Sequence, residues 1–294
     1  MQKRGFGMIL LAAILWGTTG TSQALAPHGA QPLAIGALRL IVGGTALLAG
    51  LVFFQKKACP LPRYRLPLLP VLVAAACMAV YQVSFFAGVA RTGVAIGTIV
   101  GIGSSPVLAG ILGWLFRGER PGLNWGIATL LAIGGCSLLA LTGGEVRVDP
   151  LGLLLAVTAG GAYATFSLVS KGLLERQPVE MVMAVVFSLG AVMLAPLLLS
   201  QDLSWLANPR GLAVILHLGL FATALAYILY GKGLQRVPLA TAVTITLTEP
   251  LTAGILGVTV LGEKLTFFAA AGIALIIAGL VILSFQRKTT PGQP

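Results

Sequence analysis

Two charged side chains lie inside long apolar stretches of this 294-residue chain, Arg39 and Glu249. A carboxylate in such a place can hold an ammonium group or carry a proton, and a guanidinium can grip a carboxylate. The two can also pair with each other and serve only the fold, and Arg39 is long enough to reach a membrane interface. Hydroxyls and prolines gather nearby. Thr246 and Thr248 precede Glu249 and Pro250 follows it, while Ser104 and Ser105 precede Pro106. Proline offers no backbone N–H and crowds the carbonyl four residues back. The carbonyls of Ile102 and Thr246 therefore need another partner or water. The plainer alternative is a proline kink filled by a neighbouring helix. Trp16, Tyr81, Phe85 and Tyr163 fall in mid-stretch as well. Their faces can stack on a ring, meet an amine or pack against neighbours. Together these residues offer recognition of a small charged molecule.

Bond-making chemistry has less support. Gly103-Ser104-Ser105-Pro106 supplies a serine after a glycine, and His217 could in principle activate it. The helical rise puts Ser105 near mid-membrane and His217 only about 9 Å from one end of its helix. There is no His-Glu-x-x-His motif, and no phosphate loop for direct ATP hydrolysis. His28 and His217 are far apart, and the three cysteines form no metal spacing or disulfide framework. The expectation is a protein that is not an enzyme and needs no cofactor or metal.

The elements that must position these residues are membrane spans. The chain is 57% AVILMFWYC and 9% charged, with a mean hydropathy of +0.97, whereas soluble domains carry about 25% charged residues. Runs of about 20 apolar residues fall between turn signals at roughly 6–26, 33–54, 66–90, 94–117, 123–142, 151–173, 180–200, 211–232, 238–261 and 266–285. Glu249 lies eleven residues past Pro238, or about 16 Å along a helix, near the middle of a bilayer. Arg39 lies about 9 Å into the second span by the same rise.

The first span, with Lys3 and Arg4 before it and Ala24-Leu25-Ala26 at its end, also has the outline of a signal peptide. Its length, the proline at 27 and a matching helix at 151–172 favour a retained span. The basic residues orient the chain. With both termini cytoplasmic, fourteen Lys and Arg fall inside and four, Arg91, Arg147, Arg210 and Lys264, outside. The net charge of +11 is spread between apolar runs without a basic face. It reads as topology, with a lipid bilayer and not nucleic acid as the surroundings.

Pro106 to Glu119, PVLAGILGWLFRGE, recurs at Pro250 to Glu263 as PLTAGILGVTVLGE. A gapless alignment runs from about Tyr81–Gly135 against Leu225–Gly279, with eight identities in the seventeen positions 104–120. Five spans per copy is an odd number, so the second copy enters the membrane from the opposite side. That is the inverted-repeat plan of many secondary transporters, in which substrate sits near the midplane between the copies. The expected fold is an all-α polytopic membrane protein with ten transmembrane helices in two inverted five-helix repeats. The repeats are expected over 1–146 and 147–286, with a disordered cytoplasmic tail at 287–294. Pro106 and Pro250 are expected to interrupt their helices at matching places and to act as hinges.

Leu15-Trp16-Gly17, Ala37-Leu38-Arg39, Glu249-Pro250 and the twin Pro-x-x-Ala-Gly-Ile-Leu-Gly…Gly-Glu blocks resemble the drug/metabolite transporter superfamily, EamA-type, ten-span exporter branch. The resemblance covers nearly the whole chain. It implies a multi-pass exporter of amino acids and related metabolites in the bacterial inner membrane. One member type handles aromatic and other neutral amino acids. It also implies that helices one, three and six line the central cavity. On this reading the substrate-binding residues are Trp16, Arg39, Tyr81, Phe85, Ser104, Ser105, Tyr163, Thr246, Thr248 and Glu249. The partner is an amino acid or, alternatively, an organic cation or drug, with a proton as a possible coupling ion. Tyr227 and Tyr230 are weaker candidates. Trp114, Phe116, Trp125, Phe53, Phe54, Phe267 and Phe268 suit an interfacial belt. Gly43, Gly44, Gly110, Gly113, Gly134 and Gly135 suit close helix packing.

Overall fold

Inside a bilayer every backbone N–H and C=O must find its partner within the chain, and this chain answers with helices. In a computed structural model, residues 2–58, 66–140, 149–262 and 266–285 are described, with no strand among them. They form α1 (Gln2–Ala24), α2 (Pro32–Ala58), α3 (Leu68–Arg117), α4 (Leu123–Ala140), α5 (Pro150–Leu174) and α6 (Val179–Leu194). Then follow α7 (Pro209–Gly219), α8 (Ala226–Leu234), α9 (Leu239–Ile245), α10 (Thr248–Val260) and α11 (Phe267–Ser284). Nine stretches among the described residues are long and apolar enough to cross a membrane, and the Leu123–Leu139 helix is a shorter tenth. The expectations for Arg147, Glu263, Lys264, the 146/147 boundary and the tail at 287–294 lie outside the described residues, as does the Phe54 side chain.

Several spans are not simple rods. α3 is two crossings joined at Gly93, whose φ of 83° and ψ of 161° suit glycine alone. α7 and α8 form one crossing through a π-helical turn, Leu220–Leu225. α9 and α10 form another, broken at Thr246–Leu247. The prolines therefore behave differently. α3 runs on as a helix through Pro106, so the expected matching interruption is absent from the first copy. In the second copy the chain breaks before Pro250, and the Thr246 carbonyl is not left free, because the Glu249 amide donates to it at 2.9 Å.

Crossings alternate, so two ends of the bundle can be defined. The termini end carries the start of α1, the Arg117 end of α3, and the α5–α6 and α8–α9 turns. The far end carries the α1–α2 loop, Gly93, and the starts of α5, α7 and α11. Asp149 caps α5 by accepting from the Leu151 and Gly152 amides at 2.8 and 3.1 Å, satisfying two of its orphan donors. Helices in lipid associate through close packing. At α4–α11, a Cβ on Gly272 would lie 2.6 Å from the Gly135 carbonyl oxygen, so only glycine allows that approach. Phe53, Trp114, Phe116, Phe267 and Phe268 are exposed, as a belt requires. Trp125 departs from that role. Its indole Nε1 donates to Thr244 Oγ1 at 2.9 Å and ties α4 to α9.

Candidate functional site

Residues far apart in the chain meet around a central cavity of about 540 Å³. α1 supplies Trp16, and α2 supplies Arg39. The two limbs of α3 supply Tyr81 and Phe85 from one and Ser105 from the other. Tyr163 comes from α5, and Thr246, Glu249 and Pro250 line the broken ninth crossing. Ser104, Thr248 and Pro106 are not on the walls. The Ser104 hydroxyl donates to the Gly101 carbonyl at 3.3 Å, where α3 meets Gly160. The Thr248 hydroxyl donates to Ile245 at 2.7 Å, closing the helix break instead of facing the cavity.

The two charges on the walls do not pair. Arg39 is only 7% exposed, yet no carboxylate lies within 4.0 Å of it among the described residues. Glu249 likewise forms no ion pair and no side-chain hydrogen bond among the described residues. For buried Arg39, a charge without an ion-pair partner costs several kcal/mol by order of magnitude. Unspent donors surround them: Trp16 Nε1, Thr19 Oγ1 and Arg39 Nε are buried without a partner.

Aromatic rings make the rest of the wall. Trp16 lies 4.8 Å from Tyr227 and 5.4 Å from Tyr230, centroid to centroid. Tyr81 stacks on Phe85 at 5.9 Å and 23°. From Trp16 the cavity follows α1 to Gln23, about 10 Å toward the far end by helical rise. There it reaches Pro32, Val258 and Ala269. Toward the termini end it stops at packed side chains. The Tyr230 hydroxyl, completely buried, donates to Ser167 Oγ at 2.7 Å.

Below that floor a charged cluster closes the termini end. Glu119 accepts from Lys171 Nζ at 3.1 Å, from Arg117 Nε at 3.3 Å and from the Leu239 amide at 2.6 Å. Lys171 also donates to the Val237 carbonyl, and Arg117 to Glu175. The hydrogen bond from Arg117 holds the Glu175 carboxyl below the usual carboxylate range. The ends of α3 and α5 are thus tied to the start of α9. A second hollow of about 630 Å³, beside Pro70, Val73 and Leu173, contains none of the candidate residues.

Residues that sequence reasoning passed over also reach the cavity, namely Thr19, Gln82, Phe86, Thr98 and Cys136, and so does Tyr227, one of the weaker candidates. A signal existed for some of them. Trp16, Thr19, Gly20 and Gln23 share one helical face, as do Gln82, Phe86 and Val89. For Tyr227, helical phase was no guide, because the π-helical turn shifts it. The serine–histidine pair does not form. Ser105 Oγ donates to the Gly101 carbonyl at 3.0 Å, and His217 Nε2 lies 2.9 Å from Thr18 Oγ1.

A bundle of apolar crossings around a polar, aromatic-walled hollow open toward one end defines a polytopic membrane carrier. The chain belongs to the EamA-like transporter family, whose pattern matches residues 3–141 and again 150–285. It is 47% identical over 276 residues to the uncharacterized transporter YwfM of Bacillus subtilis, covering 94% of this chain and 92% of that one. It is 26% identical to a probable terminal-alkyne amino-acid exporter of Streptantibioticus cattleyicolor, over 97% of both chains. The uncharacterized inner membrane transporter YedA of Escherichia coli is 24% identical over 98% of this chain and 93% of its own. A solved crystal structure superposes with a TM-score of 0.84 at 20% identity, covering 97% of this chain and 99% of the other, a likeness that concerns the fold alone. The protein is a multi-pass membrane transporter for small molecules.

Proposed function

We propose that the chain exports amino acids with neutral or aromatic side chains across a bacterial inner membrane, with both termini cytoplasmic. The observation that carries this reading is the pair of unpaired charges, Arg39 and Glu249, lining one cavity. A zwitterion matches both, its carboxylate toward Arg39 and its ammonium toward Glu249. The aromatic faces of Tyr81, Phe85 and Trp16 take the side chain. The amino-acid exporter among the relatives supports the same class. The two halves, 1–146 and 147–286, rock as inverted units, with the break before Pro250 as a hinge, and Glu249 carries a proton when substrate is absent.

Counterflow in proteoliposomes tests this. L-phenylalanine and other neutral amino acids should exchange, and Arg39→Gln should abolish most of that exchange. Exchange of organic cations alone, insensitive to Arg39→Gln, would establish the second reading, a cation exporter built around Glu249 and the aromatic walls.

A further inference from the structure

Tyr227 occupies a place that the repeat denies it. The alignment of the two copies sets Tyr81 against Leu225 and Tyr227 against Val83. By symmetry, position 225 should face the cavity as Tyr81 does. Instead Leu225 is 43% exposed and Tyr227 lines the cavity. The π-helical turn at Leu220–Leu225 is the cause. A π-turn fits one extra residue into the helix, which rotates everything after it by about 100°. The turn is anchored: the Thr223 hydroxyl, fully buried, donates to the Leu218 carbonyl at 2.8 Å. Gly43, four residues beyond Arg39 on α2, packs against Thr223.

The rotation wedges the Tyr227 ring between Trp16 at 4.8 Å and Phe187 at 4.2 Å. Its hydroxyl then has no protein hydrogen-bond partner among the described residues, whereas the Tyr230 hydroxyl is engaged with Ser167. Tyr227 and Arg39 line the same cavity.

We propose that Tyr227 is a substrate-contacting residue whose hydroxyl, on the cavity floor, donates a hydrogen bond to the substrate carboxylate held by Arg39. This rests on the amino-acid reading and makes a free carboxylate a requirement for tight binding.

The test is Tyr227→Phe, which keeps the ring and removes the donor. Binding of L-phenylalanine and of phenethylamine, which lacks the carboxylate, is measured in detergent alongside the thermal midpoint. The same comparison is extended to other neutral amino acids and their decarboxylated amines. The variant should weaken amino acids about tenfold or more, the scale of a hydrogen bond to a charged group, and leave the amines unchanged. Equal weakening of both classes, or of neither, would overturn the assignment of Tyr227 and leave amino-acid export standing. A wild-type protein that bound only the amines would sink both.

Discussion

Glu119→Gln should loosen the closed end of the bundle. The carboxylate accepts from two cations and a helix-start amide, with Lys171 Nζ at 3.1 Å, Arg117 Nε at 3.3 Å and the Leu239 amide at 2.6 Å. Glutamine keeps the size and one acceptor but removes the charge, so Lys171 and Arg117 lose the carboxylate they share. Breaking a fully buried ion pair costs about 3–5 kcal/mol. The side chains of Glu119 and Lys171 are 20% and 10% exposed, so water screens part of that. An effect of about 1–3 kcal/mol is the working figure, discounted in the direction that exposed pairs require. At about 1.4 kcal/mol per decade, the population open at the termini end should rise roughly 5- to 150-fold.

The assay uses a single cysteine at Ser170, fully buried between the cavity floor and the charged cluster, in a background without the native cysteines. A membrane-impermeant maleimide applied from the termini side reports opening as an alkylation rate. The rate should be low with Glu119 present and rise by the stated factor with Gln. Equal rates in two folded proteins would refute the idea that these charges hold that end shut.

Three further outcomes follow from the same geometry. Glu249→Gln keeps the shape of the cavity wall but not its negative pole, so amino-acid flux should fall at least about tenfold, on the scale of a charged hydrogen bond. Unchanged flux and pH dependence would remove Glu249 from the transport step. Gly272→Val forces a side chain against the Gly135 carbonyl, where a Cβ would sit at 2.6 Å. The thermal midpoint should drop by several degrees, consistent with about 1–3 kcal/mol of overpacking. An unchanged midpoint would mean that α4 and α11 separate freely. Asp149→Ala should lower the midpoint at neutral pH by uncapping α5. Bonds from the Gly152 amide first, then from Leu151 and Arg91, hold this carboxyl below its ordinary 3.8. The folded chain thus binds the proton less tightly than the unfolded chain. The contribution is complete above the ordinary range and is lost as pH falls through the depressed value. The gap between wild type and variant should therefore shrink on acidification below about pH 4, and a gap constant with pH would contradict the capping role.

Much of the fold was legible because lipid leaves few choices. A run of apolar residues bounded by prolines must become a helix, and Gly93 marks the break between two crossings in sequence and structure alike. The depth of Glu249 also followed from counting residues. Ser104 and Thr248 could not be sorted from Ser105 and Thr246 in the same way. Each stands beside a wall residue in the chain, and which hydroxyl turns inward depends on helix rotation. Trp125 was misjudged for a related reason. A tryptophan near a helix end suits an interface by type, and only the presence of the Thr244 hydroxyl on another crossing gave its indole N–H a partner.

Composition and order of residues alone determined a multi-pass membrane protein with a duplicated block, and put one carboxylate and one guanidinium at depth, because those are consequences of local chemistry and helical rise. Tertiary structure alone decided that Arg39 and Glu249 share a cavity without touching and that Glu119 joins the ends of three helices. It also decided that Tyr227, and not Leu225, faces inward. Such outcomes depend on how helices rotate and dock across the bundle, and a single π-helical turn changes that rotation without leaving a recognisable mark in the sequence.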